Sequence, residues 1–188
     1  MPTTTTNNDN FLDERAREVR ASIDAFRKLE PELAYLQLGW RPPEGGWSIA
    51  QVVEHLILTD EPYVDIITRL LQNAKRDGDA WKPSMFGGFV TRAVEPKSAK
   101  KVKALKGFQP GPEPRANAIA DYIRLREKIA QLIEQSKGVD LNRARMSSPV
   151  MGLIRYNLGD AYMILSKHTM RHLEQIERIR KHPEFPKS

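Results

Sequence analysis

The sequence predicts an all-α protein, a four-helix bundle. Three observations carry this. Four long segments repeat apolar residues at spacings of three and four, no segment of comparable length alternates with period two, and capping residues stand where the second and fourth begin. Four amphipathic helices of this kind bury their stripes against one another around one core.

The first pattern runs from about Phe11 to Leu29, with Leu12, Ala16, Val19, Ile23 and Phe26 on one stripe and Pro31 at its end. The second opens at Ser48, a good N-cap, with Gln51 three residues on, as a capping box requires. It runs to about Ala74, and Ile49, Val52, Val53, Leu56, Ile66, Ile67, Leu70 and Leu71 form its apolar face. Pro62 predicts a kink rather than a stop. Trp47, just ahead of the cap, reads as a hydrophobic staple. The third pattern spans about Ala116 to Gln135 through Ala118, Tyr122, Leu125, Ile129 and Leu132, and Gly138 suits its stop. The fourth begins near Asn157 with Asp160 at the third helical position and runs to about Lys181. Its stripe holds Ala161, Leu165, Ile176 and Ile179, and Arg178, Arg180 and Lys181 complement the dipole at its end. Two long links remain, residues 75–115, with a short helical candidate from Ser84 to Val94, and residues 137–156.

The chain of 188 residues suits a single domain, read as residues 11–182 behind a disordered N-terminal tail of residues 1–10. With 40% apolar and 29% charged residues it has a globular composition. Cysteine is absent, which excludes disulfides, thiolate ligands and a cysteine nucleophile. The N-terminus lacks the basic and apolar regions of a signal peptide, and no apolar run approaches the roughly 20 residues of a membrane span. A cytoplasmic protein without membrane partners is expected. The net charge of +6 includes a local cluster, Lys97, Lys100, Lys101, Lys103 and Lys106, without interleaved aromatic residues. A solvated basic loop is the favoured reading, and nucleic acid is an unfavoured partner.

The histidines carry the functional signal. Four are present, and His182 sits beside a proline at the end of the chain. His168 and His172 are four residues apart, so on a helix they differ by about 40° of rotation and about 6 Å of rise. Two imidazoles at that spacing can share one metal ion. Continuing the stripe from Ala161 and Leu165 reaches 168 and 172, so both rings face the core, where an imidazole is costly unless bonded or ligating. His55, with Val52 and Leu58 three residues to either side, is inward or at the boundary. A hydrogen-bonded core histidine remains the competing reading for each, for His55 above all.

Two segments resemble the DinB-like superfamily. Gly46 to Leu56 (GWSIAQVVEHL) is similar to that family's entry into its second helix, and His168 to Ile176 (HTMRHLEQI) to its C-terminal histidine run. The resemblance covers the helical pattern from about residue 10 to 181, while residues 75–115 match no motif. It implies an up-down-down-up bundle, often a homodimer. It also implies a divalent transition metal, zinc or nickel, held by His55, His168 and His172. The implied activities are thiol-dependent S-transfer and amide hydrolysis on low-molecular-weight thiol conjugates, with a small-molecule substrate. Three imidazole ligands leave a coordination position open, as catalytic zinc sites do. No general base is identified. Glu54, Thr59, Glu174 and Gln175 are neighbours of the set, Gln175 being the better placed to approach the metal. Trp47, Trp81, Phe86 and Phe89 are candidates to line a substrate pocket, with packing the default for Trp47.

Overall fold

The computed structural model describes residues 7–96 and 104–187. Four long helices dominate it: α1 (Asn7–Glu32), α3 (Ile49–Gln72), α5 (Ala118–Gln135) and α6 (Leu158–Arg180). Shorter elements join them: α2 (Tyr35–Gly39), α4 (Met85–Val94), a single 3-10 turn at Lys106–Phe108, and an antiparallel pair, β1 (Arg145–Ser147) and β2 (Arg155–Asn157). Helix α1 packs on α5 and α6, and α3 packs on the same two helices. The stripes meet in one core, with Leu12, Val19, Phe26, Ile49, Leu56, Ile67, Tyr122, Ile129, Leu165 and Ile176 all buried. No helix among the described residues is long and apolar enough to cross a membrane.

The predicted caps form. The Ser48 hydroxyl accepts from the Gln51 backbone N–H at 3.2 Å, and the Gln51 side chain accepts from the Ser48 N–H at 3.1 Å. Asn157 and Asp160 make the same reciprocal pair at the start of α6 (2.9 and 3.2 Å). Ser84 caps α4 by accepting from the Gly87 N–H. Each cap satisfies donors that the first helical turn leaves without partners. Helix α3 continues through Pro62 without interruption.

The structure corrects the sequence reading in three places. Residues 7–10, read as part of a disordered tail, belong to α1. Asn8 is buried, donates to the Asp79 carbonyl and accepts from the Trp81 N–H, so the 75–84 stretch supplies partners that the tail alone lacks. The link 137–156 contains the β1–β2 pair, in which Met146 faces Tyr156 and both are buried. The Tyr156 hydroxyl lies 2.5 Å from that of Tyr63, docking the pair on α3. Trp81 lines no pocket at the histidines: its ring stacks on Phe11 at 4.2 Å, and its Nε1–H donates to Asn157. Phe86 and Phe89 are exposed on the outer face of α4. Of the basic cluster, Lys97, Lys100, Lys101 and Lys103 lie outside the described residues.

Candidate metal centre

His55 projects from the second turn of α3, and His168 and His172 project from successive turns of α6. The two helices pack directly, and the three rings meet edge to face with centroids 4.5–5.2 Å apart. His55 Nε2 lies 3.3 Å from His168 Nε2, and His172 Nε2 lies 3.1 Å from the same atom. His55 and His172 are buried, and the His168 side chain is 14% exposed, so the cluster sits just beneath the surface.

The other nitrogen of each ring determines what the cluster can do. His55 Nδ1 lies 2.7 Å from the Phe108 carbonyl, which can only accept, so the proton is on Nδ1 and Nε2 carries a lone pair. His172 Nδ1 donates to Gln175 Oε1 at 2.8 Å, which places a second lone pair on its Nε2. His168 Nδ1 faces the buried Asp60 carboxylate, Oδ1 standing 3.8 Å away. A proton on His168 Nε2 could serve only one of its two neighbours. With that proton on Nδ1 instead, three lone pairs point at a common region, an arrangement that repels itself unless a cation shares it. Two nitrogens each about 2.0–2.1 Å from a tetrahedral zinc ion stand about 3.3 Å apart. The separations of 3.1 and 3.3 Å agree, and the three-histidine group could hold a metal ion.

Neighbouring residues hold the rings in place. Trp47, predicted as a staple, lays its ring 4.9 Å from that of His55 and shields it. Residues around the 3-10 turn are anchored by Gln51, whose side-chain amide donates to the Gly111 carbonyl. The link 75–115, which matches no motif in sequence, therefore supplies the partner of His55. Gln175 bonds His172 rather than approaching the shared region. Thr59 donates to the His55 carbonyl and to Asp60, so it supports the helix and not the ring nitrogens. Glu54 forms a bidentate pair with Arg115 (2.8 and 3.1 Å), and Glu174 pairs with Arg178 at the surface. His182 lies apart, against Trp40 and Glu44. The residue missed in sequence is Asp60. It continues the stripe Val53, Leu56, Tyr63, Ile67, and a carboxylate at an apolar position is a readable signal.

The family assignment follows from the same segment of chain. The family model of the DinB superfamily matches residues 18–176. The chain belongs to the DinB superfamily. No curated protein and no solved structure matches it significantly. The match runs from the middle of α1 into the last turns of α6, and it includes all three histidines of the cluster. In this DinB-superfamily chain, the fold-defining helices and the cluster are thus one unit.

Burial disfavours charge on the His55 and His172 rings. It pushes the His55 imidazole down to about 4, with His168 adding to the effect and the Phe108 carbonyl opposing it. His172 is pushed well below the ordinary range, by burial first and then by its two histidine neighbours. The unfolded chain takes up these protons near pH 6.5, while the folded chain refuses them until about pH 4 for His55. Stability is therefore present in full above pH 6.5 and is lost as pH falls towards 4, by roughly 3 kcal/mol for a shift of this size. Urea unfolding of chelator-stripped protein at pH 7.5 and pH 5 is expected to show a larger loss for wild type than for His55→Gln. Equal losses would contradict the reading.

Proposed function

We propose that His55, His168 and His172 bind one divalent transition metal, zinc or nickel, and that the protein is a metal-dependent transferase or hydrolase. Its substrate on this reading is a small molecule, a low-molecular-weight thiol or its conjugate. The observation that supports this is the convergence of three Nε2 atoms, two of them held as lone-pair donors by the bonds of Nδ1 to Phe108 and Gln175. Three protein ligands are the number typical of catalytic rather than structural zinc. When bound, the metal would supply Lewis acidity, polarising a carbonyl or favouring the thiolate of a substrate thiol. The chain's own part is to orient the three rings, to keep His55 and His172 neutral by burial, and to shield His55 with Trp47. We infer further an up-down-down-up bundle that pairs as a homodimer, as the resemblance of the two segments implies, and a cytoplasmic location.

A second reading is a metal-binding module without chemistry. One feature favours it: Asp60 faces the far nitrogen of His168, and no carboxylate joins the histidine group among the described residues. The proton transfers of a hydrolase would then fall to the substrate or to water.

Elemental analysis of protein purified without chelator tests the metal reading. About one equivalent of zinc or nickel is expected in wild type, and none in a His168→Ala, His172→Ala variant. A wild type that stays empty after reconstitution would refute it. Chelator-sensitive turnover of thiol-transfer or amide substrates then separates the enzyme from the binding module.

A further inference from the structure

A buried polar network lies behind the histidine cluster, and nothing described so far gives it a function. Asp60 is 1% exposed and sits on α3 between Leu56 and Tyr63. Its Oδ2 accepts from the Tyr122 hydroxyl at 3.0 Å and faces the Arg126 guanidinium at 3.6 Å, both from α5. Its Oδ1 accepts from Thr59 at 3.2 Å and lies 3.8 Å from His168 Nδ1. The Tyr122 hydroxyl also lies 2.8 Å from that of Thr169, the next residue on α6. Asp60 thus joins three helices at the point where α6 presents His168.

Burying a carboxylate costs several kcal/mol even when paired, and an apolar residue of similar volume would fill the position at less cost. Stability alone is therefore a weak reason for Asp60 and Arg126 in this core. The three rings suggest a better one. His55 has a backbone carbonyl on Nδ1 and His172 has an amide oxygen on Nδ1, each holding the Nδ1–H tautomer. For His168 the residue facing Nδ1 is Asp60, and it is the anionic member of the set.

We propose that Asp60 is a positioning residue that holds His168 as the Nδ1–H tautomer and aims its Nε2 lone pair at the shared region, with Arg126 and Tyr122 holding Asp60 in turn. The proposal rests on the metal reading for its consequence, but the tautomer can be measured without any metal. An imidazole whose far N–H meets a carboxylate is a better donor, and loss of such a partner typically weakens metal binding by roughly 10- to 100-fold.

The test has two arms. Long-range proton–nitrogen correlation spectra of chelator-stripped wild type are expected to show His168 as the Nδ1–H tautomer. The Nε2–H tautomer would overturn the proposal, and this arm needs no variant. In the second arm, zinc affinity is measured by competition with a chromophoric chelator. Asp60→Asn is expected to raise Kd by roughly 10- to 100-fold and to mix the His168 tautomers. Ser136→Ala, which removes a buried hydroxyl bonded to Tyr162 and lies outside this network, is expected to change Kd less than about 3-fold while lowering the unfolding midpoint. An unchanged tautomer and Kd in Asp60→Asn would overturn the proposal. Failure of wild type to bind zinc would refute the metal reading, and the first arm would still decide the role of Asp60.

Discussion

Replacing Arg126 with methionine is expected to destabilise the protein by about 3–5 kcal/mol. The guanidinium is completely buried, 3.6 Å from Asp60, and its Nε–H donates to the Ser22 hydroxyl at 3.3 Å. Methionine fills most of the volume but leaves a carboxylate in the core without its cation, and that charge is the source of the cost. Among the described residues the two terminal nitrogens of Arg126 have no hydrogen-bond partner, so apart from the single bond to Ser22 the loss comes from charge. Urea denaturation gives the value, and the double variant Asp60→Asn, Arg126→Met distinguishes the cause. Removing both charges is expected to recover much of the loss. A double variant as unstable as the single one would place the cost in packing instead.

The second large effect comes from the smallest residue. Alanine for glycine inside a helix ordinarily stabilises by up to about 1 kcal/mol. At Gly159, in the first turn of α6, the sign is expected to reverse, with a loss of about 2–3 kcal/mol. A methyl group there would run into the Trp81 ring. That ring cannot retreat: it stacks on Phe11, its Nε1–H is bonded to Asn157, and its backbone N–H is bonded to Asn8. Thermal unfolding of Gly159→Ala decides the sign, and a stabilised variant would show that the Trp81 packing yields. Gly87 has a similar constraint against Asp160, the residue that closes the α6 cap.

The helices were legible because their signals are local. Ser48 with Gln51, and Asn157 with Asp160, each lie within one turn, and stripe residues such as Leu12, Phe26 and Ile176 repeat at the helical period. The β pair was not legible, since β1 buries only Met146 and β2 buries the adjacent Tyr156 and Asn157, and neither gives a period. Helix α2 is one turn long, and its exposed Tyr35 and Leu36 form no inward stripe. The start of α1 depends on bonds from Asn8 to Asp79 and Trp81, partners more than seventy residues away. At the candidate centre helical phase turned His168 and His172 inward and left His55 inward or at the boundary, and the grouping of the three as one set came from the resemblance of the two segments. Asp60 and Arg126 could have been found from phase as well, since each occupies an inward step of an apolar stripe. The Phe108 carbonyl could not, because every residue type has one.

That carbonyl places the centre under an unusual kind of selection. The partner of His55 is main chain, so the identity of the side chain at 108 is free to drift as far as this bond is concerned. The spacing is not free. Gain or loss of one residue between the Gly111 carbonyl, held by Gln51, and the carbonyl of 108 would change which oxygen faces the ring. Substitutions in this stretch are therefore expected to leave the bond to His55 in place and changes of length to displace it, the reverse of the rule for most surface connections.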